Sequence, residues 1–496
     1  MEANRTAPPQ AAQRVDLDAL RNSFSGRLIT DPGDLEAFTV DWRRRYFGRA
    51  FGAAQPDSVE GVAAIVQWCA RNRVAVVPQG GNTGLSGGAT PDESGRSIVL
   101  SLARLAKVRA VDTINNSITV EAGCTLAQVH EAARRAGRLF PLSLPSEGTC
   151  TIGGNLATNA GGAAVLRYGN TRELCLGVEV VTAEGRIWNG LRGLRKDNTG
   201  YDLRDLFIGS EGTLGVITAA TMKLYPLPAA QVTAMAAVQD PHAALRLLEL
   251  AQSMLGSTLT AFELISNLCI ELVMQHFPDH RRPFAEAAPY YVLLETSDSE
   301  SEAHANAQFE ALMERAIESD IVLDAVVATS GAQSRALWEL RELISEAQAL
   351  AGKNVKHDVS VPISSIGDFV EQTNEAMQRA FPGIRMVVFG HLGDGNLHYN
   401  VSPPAERSGR EHEEEFLALQ PEMNRLVHDA VVSFHGSISA EHGLGQLRRD
   451  ESARYKSDVE MALMRQVKQA LDPLGIMNPG KVLPPQPPQP VPGSGG

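Results

Sequence analysis

The sequence predicts an α+β protein built from two domains, and three observations lead to this prediction. Short apolar strands alternate with glycine-rich turns in the first half of the chain, whereas longer amphipathic helices separate the strands of the second half. Glycine is dense over residues 80–215 and sparse over 226–380, and the composition changes at residues 224–231 (LYPLPAAQ). A chain of 496 residues is also too long for one ordinary hydrophobic core.

One helix stands out among the strands of the first half. It is predicted over residues 125–137, with Thr125 as its N-cap and Gly137 as its C-cap. The predicted strands of this half cover residues 74–78, 97–101, 117–123, 176–185 and 214–226. In the second half we expect strands at 290–296 and 385–391 and helices at 241–256, 300–318, 332–350, 363–380, 411–434 and 457–472.

Composition and charge exclude several classes of protein. A hydrophobic content of 43% with 21% charged residues is typical of a soluble globular chain, and a net charge of −13 disfavours nucleic-acid binding. The five cysteines form no C-x-x-C pair, which argues against a disulfide framework, a zinc ribbon or an iron–sulfur cluster. No signal peptide and no run of ~20 apolar residues is visible, so we expect a cytoplasmic protein that is not integral to a membrane.

Three glycine-rich segments of the first half predict a surface that binds a flat or phosphorylated ligand. The first, residues 76–88 (VVPQGGNTGLSGG), follows a strand and can turn several backbone N–H groups towards one anion, such as a diphosphate. It matches neither the Walker loop nor the fingerprint G-x-G-x-x-G, which disfavours an NAD-linked enzyme. Residues 145–162 and 196–218 have the same character. Because glycine costs backbone entropy, three such segments indicate ligand binding more than packing.

The residues of these segments and their order along the chain resemble those of the FAD-linked oxidases and dehydrogenases of the vanillyl-alcohol oxidase / p-cresol methylhydroxylase (PCMH) superfamily. The resemblance covers about residues 35–483. The resemblance implies an N-terminal PCMH-type FAD-binding domain of two α+β subdomains, and a C-terminal α+β substrate or cap domain with an antiparallel sheet. It also implies that the first loop holds the FAD diphosphate. Some relatives attach the flavin through a histidine of this loop; none is present here, so a non-covalent FAD is expected.

The resemblance assigns residues to FAD and boundaries to the domains. The FAD residues are Pro78, Gly80, Gly81, Asn82, Thr83, Gly84, Pro145, Thr149, Gly153, Gly154, Ala157, Gly161, Glu211, Gly212, Ile217, Asn400 and Asn478. The expected units are an N-terminal extension and lead-in (1–34), the FAD-binding domain (35–226), the substrate or cap domain with a metal site (227–456), a C-terminal helix and NPGK segment that return to the FAD-binding domain (457–483), and a disordered proline-rich tail (484–496).

Two histidines bracket a Gly-Asp-Gly turn within residues 389–401 (FGHLGDGNLHYNV). The Asp-Gly pair favours a two-residue hairpin turn at residues 393–396. In that register His391 and His398 lie directly opposite each other, with Cβ atoms about 5 Å apart. Two imidazoles at that separation can bind one metal ion. Residues 438–445 (ISAEHGLG) offer a carboxylate and a third imidazole to complete such a site.

The pattern GHLGDGNLHxNV…SAEHGLG resembles, more narrowly, the D-2-hydroxyacid branch of the superfamily, and within it the D-2-hydroxyglutarate dehydrogenases. This resemblance implies that His391, His398 and Glu441 bind a divalent metal, zinc in most relatives. It implies that His442 is the general base and binds substrate, and that Asn400 lies beside the substrate and the flavin with a catalytic role.

A substrate with a second carboxylate requires a cation. Residues 336–348 are predicted to be helical, which puts Arg341 and Ser345 one turn apart on one face, and Lys356 lies on a predicted strand over 354–362. Relatives have Arg, Thr and Lys at this spacing as contacts of the substrate carboxylate. The resemblance therefore implies that Arg341, Ser345 and Lys356 bind a dicarboxylate such as D-2-hydroxyglutarate or D-malate.

Together these features predict an FAD-dependent D-2-hydroxyacid dehydrogenase that forms the 2-oxo acid. A metal lowers the pKa of the substrate hydroxyl, a neutral histidine takes its proton, and the α-hydrogen leaves as hydride to the flavin. The alternatives are a D-lactate or glycolate dehydrogenase or oxidase of the same family, a metallohydrolase, and a flavin-binding protein without catalysis. No second redox motif is visible, so an electron-transfer flavoprotein or a quinone is the expected acceptor, and a homodimer is left open.

Overall fold

A computed structural model describes residues 15–407 and 412–485 of the chain. Within these ranges the protein has an N-terminal domain of two lobes and a C-terminal domain, each made of helices and a sheet, which confirms the predicted fold class. Residues 1–14 of the predicted N-terminal extension and residues 486–496 of the predicted tail lie outside the described residues.

The first lobe is a four-stranded sheet with helices packed on it. Its elements are α1 (Leu17–Arg21), β1 (Gly26–Ile29), α2 (Pro32–Thr39), β2 (Gly52–Pro56), α3 (Val59–Asn72), β3 (Ala75–Gln79) and β4 (Ser97–Ser101). The strand order is β1-β2-β4-β3, with β1 antiparallel to β2 and the other pairs parallel. The Ser58 side chain caps α3, which packs Ile65 and Val66 into the core. The first glycine-rich segment therefore leaves the carboxyl end of a parallel strand, where α/β sheets bind ligands.

The second lobe is a five-stranded antiparallel sheet. Its elements are β5 (Val108–Asp112), β6 (Ser117–Glu121), α4 (Leu126–Arg135), β7 (Arg138–Leu139), α5 (Ile152–Thr158), α6 (Val165–Tyr168), α7 (Thr171–Leu174), β8 (Cys175–Thr182), β9 (Ile187–Asn189), α8 (Leu203–Phe207), β10 (Gly215–Lys223) and β11 (Tyr225–Pro226). The sheet order is β5-β6-β10-β8-β9. Thr125 caps α4 and forms a capping box with Gln128, as predicted for its N-terminus. The C-cap is Ala136, not Gly137, which follows it in the left-handed conformation (φ +67°).

The C-terminal domain is a seven-stranded antiparallel sheet with helices on both faces. Its elements are β12 (Ala230–Val238), α9 (Pro241–Leu255), β13 (Leu259–Ser266), α10 (Asn267–His276), β14 (Tyr290–Asp298), α11 (Glu302–Glu318), β15 (Asp324–Val327), α12 (Gly331–Glu342), α13 (Ile344–Leu350), β16 (Asp358–Ser360), α14 (Ile366–Ala380), β17 (Arg385–Gly390), β18 (Asn396–Ser402), α15 (Glu413–Ala418) and α16 (Gln420–Ser433). The strand order is β15-β12-β14-β13-β17-β18-β16. Helices α9, α11, α14 and α16 cover one face, and α10, α12 and α13 cover the other.

Three predicted elements of this domain are shorter than expected. The helix predicted over 332–350 breaks at Leu343, and α13 then packs Ile344 and Ala347 against the core that contains α10. The helix predicted over 411–434 breaks at Leu419 because a proline occupies the first turn of α16, where it can start a helix but not continue one. The strand predicted over 354–362 is reduced to β16.

After α16 the chain continues to α17 (Arg449–Tyr455) and α18 (Asp458–Leu471) and then reaches the first lobe. The Val76 N–H donates to Ile476 O (2.8 Å), and the Asn478 N–H donates to Val76 O (2.8 Å). This adds a short parallel segment beside β3. Residues 476–478 thus lie beside the strand that leads into the first glycine-rich loop.

Two exclusions made from the sequence can be compared with the structure. The five cysteines are buried and none of them forms a disulfide, as expected. None of the described helices has both the length and the apolar character that crossing a bilayer requires.

Asp472 anchors the returning segment and provides a test of it. Its buried carboxylate lies 2.6 Å from Lys468 Nζ and accepts the N–H groups of Ile476 (3.1 Å) and Met477 (2.9 Å). Asp472→Ala leaves these donors unpaired, so we expect the free energy of unfolding to fall by about 3 kcal/mol in urea denaturation. The exposed Glu310, whose side chain has no partner among the residues that the structure describes, serves as the control: Glu310→Ala should stay within ~0.5 kcal/mol of the parent. Equal midpoints for the two variants would contradict this role.

Candidate functional site

The two histidines of the Gly-Asp-Gly segment lie close together, but the predicted pairing register is wrong. In the structure His398 lies opposite Phe389, not opposite His391. A 3₁₀ turn over Leu392–Asp394 ends at Gly395 in the left-handed conformation (φ +89°), so the loop is longer than a two-residue hairpin. The register is shifted by two residues, which keeps His398 on the predicted face of the sheet. His391 follows the end of its strand, and the two ring centroids are 6.0 Å apart.

Glu441 lies between these two imidazoles. Its carboxylate oxygens are 4.0 Å from His391 Nε2 and 3.5 Å from His398 Nε2. Zinc with tetrahedral bonds of about 2.0–2.2 Å separates its ligand atoms by roughly 3.3–3.6 Å. The three side chains are only 12% to 17% exposed. The separation between His398 and Glu441 is in this range, and that between His391 and Glu441 is longer. Among the described residues, a compact group of possible metal ligands consists of Asp358, His398, Glu441 and His442, and His391 lies beside this group but is not part of it.

Asp358, which the sequence analysis did not assign, organises the loop that carries Glu441 and His442. Its buried Oδ2 accepts the backbone N–H groups of Glu441 (3.2 Å) and His442 (3.0 Å) and lies 3.2 Å from His442 Nδ1. Asn396 Nδ2 donates to Oδ1 (3.0 Å), and Arg448 Nη1 lies 3.4 Å from Oδ2. Burial opposes the charge, but His442 and Arg448 hold the pKa of Asp358 well below its usual value. Nδ1 of His442 thus faces Asp358, and its Nε2 lies 3.7 Å from Glu441 Oε1.

A second carboxylate that the sequence analysis missed, Glu263 on β13, joins a metal ligand to a predicted substrate residue. It is fully buried, and its oxygens accept hydrogen bonds from His391 Nδ1 (2.5 Å) and Arg341 Nε (2.7 Å). Burial opposes ionisation, but the two cationic partners lower the pKa of Glu263 to about 2. With Nδ1 of His391 committed, its Nε2 remains for a metal. The sequence does contain a sign of this role, because Glu263 is the one acidic residue in the otherwise largely apolar strand LTAFELIS.

The three predicted carboxylate contacts occupy different environments. The Arg341 guanidinium lies 4.8 Å from the Phe389 ring centroid. Ser345 is exposed and belongs to the separate helix α13, so the predicted continuous helical face is wrong. Lys356 has no hydrogen-bond or ion-pair partner among the described residues, and burial together with the nearby Arg43 lowers its pKa to about 8. A largely buried ammonium without a carboxylate indicates a place for an anionic ligand.

The amide of Asn400 is used within the protein. Asn400 is 3% exposed; its Oδ1 accepts the His357 N–H (3.2 Å), and its Nδ2 donates to Gln348 Oε1 (2.9 Å). His357 Nδ1 lies 2.8 Å from Tyr399 O and its Nε2 lies 3.0 Å from Asn424 Oδ1, and burial lowers the pKa of His357 to about 3. A contact of Asn400 with substrate and flavin therefore stays a prediction.

The first predicted FAD loop packs tightly on the second segment. A Cβ on Gly81 would lie only 2.1 Å from Thr149 O, whereas one on Gly84 would meet nothing within 4 Å. Residues 80–84 thus touch residues 149–154 through backbone on one side and face open space on the other. A Cβ on Gly80 would collide with the Thr151 hydroxyl, and one on Gly212 would lie 3.0 Å from the ring of Pro78.

The open side of this loop fits an anion. Among the described residues, no protein acceptor is recorded for the backbone N–H groups of residues 81–84. Asn82 has the left-handed conformation (φ +53°), and its Nδ2 donates to Val40 O (2.9 Å), which holds the loop in place. Successive N–H groups around a left-handed residue form an anion-binding nest. This nest has the donors that the diphosphate of FAD requires.

The other predicted FAD residues support the same groove. The Glu211 N–H donates to Ala157 O (2.8 Å), and Asn478 Nδ2 donates to Gly88 O (2.9 Å) and Glu211 O (2.7 Å). The buried Oδ1 of Asn478 has no recorded partner in the described chain, as expected of an atom that faces a cofactor. Ile217 packs in the core of the second lobe, so only its backbone can reach the groove.

The histidine cluster and the glycine-lined groove adjoin. A Cβ on Gly161, one of the predicted FAD residues, would lie 3.2 Å from Glu441 Oε2. A Cβ on Gly393, in the turn between the two histidines, would lie 2.8 Å from the Leu166 side chain of the N-terminal domain. The candidate metal ligands therefore lie beside Gly161 of the second glycine-rich segment and next to Leu166 of the N-terminal domain.

Comparisons with known proteins agree with this arrangement. A model of the FAD binding domain matches residues 52–190, and a model of the C-terminal domain of FAD linked oxidases matches residues 227–482. The chain is 42% identical to a D-2-hydroxyglutarate dehydrogenase of Xanthomonas citri pv. viticola over 92% of this chain and 94% of that protein. It is 39% identical to the mitochondrial D-2-hydroxyglutarate dehydrogenase of Danio rerio over 96% of this chain and 87% of that protein.

Among solved structures, that of p-cresol methylhydroxylase with bound substrate aligns with a TM-score of 0.73 over 96% of this chain and 98% of that chain. At 15% identity this similarity shows the shared fold. The chain therefore belongs to the FAD-linked oxidases and dehydrogenases, in the branch that contains the D-2-hydroxyglutarate dehydrogenases, and it is an FAD-dependent dehydrogenase.

Proposed function

We propose that this enzyme oxidises D-2-hydroxyglutarate to 2-oxoglutarate, with D-malate as a second dicarboxylate substrate. The observation that carries the proposal is the convergence of His391, His398 and Glu441, with His442 beside them, next to the second glycine-rich segment. An α-hydroxyl and its neighbouring carboxylate can chelate one metal ion held by these three ligands. The names of the two relatives support the choice of substrate.

Bound FAD supplies the hydride acceptor, and a divalent metal, zinc in this proposal, supplies a Lewis acid that lowers the pKa of the substrate hydroxyl. The N–H groups of residues 81–84 would hold the FAD diphosphate, and no histidine in residues 76–88 is present to attach the flavin covalently. Glu263 keeps Nδ1 of His391 occupied, so Nε2 is the atom that faces the metal.

His442 acts as the general base. Asp358 Oδ2 lies 3.2 Å from its Nδ1 and fixes the ring orientation, so Nε2 can take the proton of the substrate hydroxyl. The same carboxylate stabilises the imidazolium that results, because Asp358 stays ionised. The substrate thereby loses one proton to His442 and one hydride to the cofactor, which yields the 2-oxo acid.

Lys356 and Arg341 select for the second carboxylate of the substrate. Lys356 has no acidic partner in the described chain, and only the Nε of Arg341 is used, in its bond to Glu263. The Nη donors of Arg341 and the ammonium of Lys356 are then available to a carboxylate. Ser345, which is exposed on α13, is the third predicted contact and would add a hydroxyl donor to the same carboxylate.

The two electrons must leave to an acceptor outside the chain. We expect an electron-transfer flavoprotein or a quinone, because the sequence contains no second redox motif. A cytoplasmic location and a homodimer are likewise part of the proposal. These three points can be tested by reoxidation kinetics, fractionation and light scattering.

Anaerobic bleaching of the flavin is the direct test of the function. We expect D-2-hydroxyglutarate to bleach the visible flavin absorbance rapidly, D-malate more slowly, and the L-enantiomers not at all. A metal chelator should abolish bleaching, because the three ligands then hold no Lewis acid, and added zinc should restore it. Preference for D-lactate or glycolate would favour the monocarboxylate alternative. A colourless protein that hydrolyses esters or amides would favour a metallohydrolase.

Loss of a metal ligand should remove the metal and the activity while the flavin stays bound. For His398→Ala we expect the bound zinc to be lost and kcat to fall by at least about 100-fold, since even changes around metal ligands cost 10–100-fold. Elemental analysis, flavin absorbance and steady-state kinetics measure this. The control is His435→Asn: His435 is exposed, has a left-handed backbone (φ +58°) that asparagine tolerates, and should leave all three readouts unchanged. Retained zinc in His398→Ala would contradict the ligand assignment.

Lys356→Met should discriminate between dicarboxylate and monocarboxylate substrates. We expect kcat/KM for D-2-hydroxyglutarate to fall by about 10- to 100-fold, the value of one charge-assisted hydrogen bond, and that for D-lactate to change much less. Arg341→Ala is a poorer test because it also removes one of the two partners of the buried Glu263. The exposed Lys353, mutated to Met, is the matched control. Equal losses on both substrates would refute the selectivity role of Lys356.

A further inference from the structure

Residues 439–447, here named the base loop, carry Glu441 and His442 and are held by a side chain of the flavin-binding domain. Glu211 Oε1 accepts the N–H of Leu444 (2.7 Å), and its Oε2 accepts the N–H of Gly445 (2.8 Å). These contacts join residues 233 and 234 positions apart in the chain. Both oxygens of Glu211 are therefore committed to the backbone of the base loop.

The surroundings of Glu211 are adapted to this contact. A Cβ on Gly443 would lie 3.0 Å from Glu211 Oε1, and one on Gly88 would lie 3.1 Å from Oε2, so both positions leave room for the carboxylate. Glu211 itself has a left-handed backbone (φ +51°), a conformation that is unfavourable for a residue with a Cβ. A glycine at this position would avoid the strain. The hydrogen bonds of the Glu211 carboxylate to the base loop offset it.

The same domain makes further contacts with the base loop. Ser86 O accepts the N–H groups of Gln446 (3.0 Å) and Leu447 (3.2 Å), and Ser86 Oγ donates to Gly443 O (3.0 Å). Ser86 follows the loop that forms the anion-binding nest. The base loop is thus attached to the part of the protein that surrounds the flavin.

A symmetrical arrangement results from the two domains. Asp358 of the C-terminal domain accepts the N–H groups of Glu441 and His442, and Glu211 of the N-terminal domain accepts those of Leu444 and Gly445. One buried carboxylate from each domain therefore binds two adjacent amides on either side of Gly443. The position of the base relative to the groove depends on both.

We propose that Glu211 is a positioning residue, and not a flavin contact of its side chain: it sets the metal ligand Glu441 and the base His442 at the correct place against the flavin groove. This inference rests on the proposed roles of those two residues. Misplacement of a reacting group by about 1 Å can cost on the order of 100-fold in rate, so one such anchor can matter for catalysis.

The test uses Glu211→Gln in the full-length, FAD-loaded enzyme. A glutamine has only one acceptor oxygen and places an amide N–H₂ against the second backbone N–H. We expect faster amide hydrogen exchange in residues 438–447, zinc bound about tenfold more weakly, and kcat lower by about 10- to 100-fold with a smaller change in KM. Glu179→Gln is the matched control: Glu179 is a buried acid of the same domain, bonded to Arg109, with no recorded contact to the base loop.

The outcomes separate positioning from general stability and from the proposed function. Glu179→Gln should lower stability without changing the three readouts. Wild-type exchange in Glu211→Gln, or faster exchange with unchanged zinc affinity and kcat, overturns the inference. If Glu211→Gln does not fold, Ser86→Ala replaces it with the same readouts, smaller expected effects and the same overturning result. A wild-type protein that oxidises no 2-hydroxy acid refutes the proposed function, whereas exchange and zinc affinity still decide the role of Glu211.

Discussion

The buried carboxylate of Asp358 is the interaction on which the site depends. It lies on β16, beside His398 on β18, and accepts two consecutive amides of the base loop together with His442 Nδ1. An ionised carboxylate in the interior is tolerated only when its oxygens are satisfied, and Asn396 and Arg448 supply the remaining donors. Arrangements of the loop that leave this buried charge without its donors are therefore disfavoured. The arrangement that satisfies it brings Glu441 to the histidines.

The rest of the site is a continuous series of paired acidic and basic side chains. Arg341 is bonded to Glu263, Glu263 to His391, and Glu441 lies beside both His391 and His398. In a low-dielectric interior each partner limits the freedom of the next, because an unpaired member would be costly. The proposed substrate cation Arg341 and the metal ligand His391 are consequently parts of a single network. A change at one end is felt at the other, which is why the unpaired Lys356 is the more informative position for testing substrate choice.

Close backbone packing brings this network to the flavin groove. The chain has glycine where a Cβ would collide, both within the N-terminal domain, where Gly81 meets the backbone of Thr149, and between the domains, where Gly393 meets the side chain of Leu166. Glu211 and Ser86 then bind the base loop from the N-terminal side. Because the base and the groove are joined by short, directional contacts, the distance between them is set by structure and not by a flexible linker.

The sequence alone determined the fold class, predicted the first glycine-rich loop as an anion site, and grouped His391, His398, Glu441 and His442, which the structure brings close together. These depend on residue type, hydrophobic period and short motifs, which are local properties of the chain. It predicted the wrong hairpin register, because the 3₁₀ turn and the left-handed Gly395 are set by packing around the turn. It also missed Asp358, Glu263 and the loop contacts of Glu211. Their partners lie 83, 128 and 233 residues away in sequence, and only the tertiary fold decides which buried charges meet.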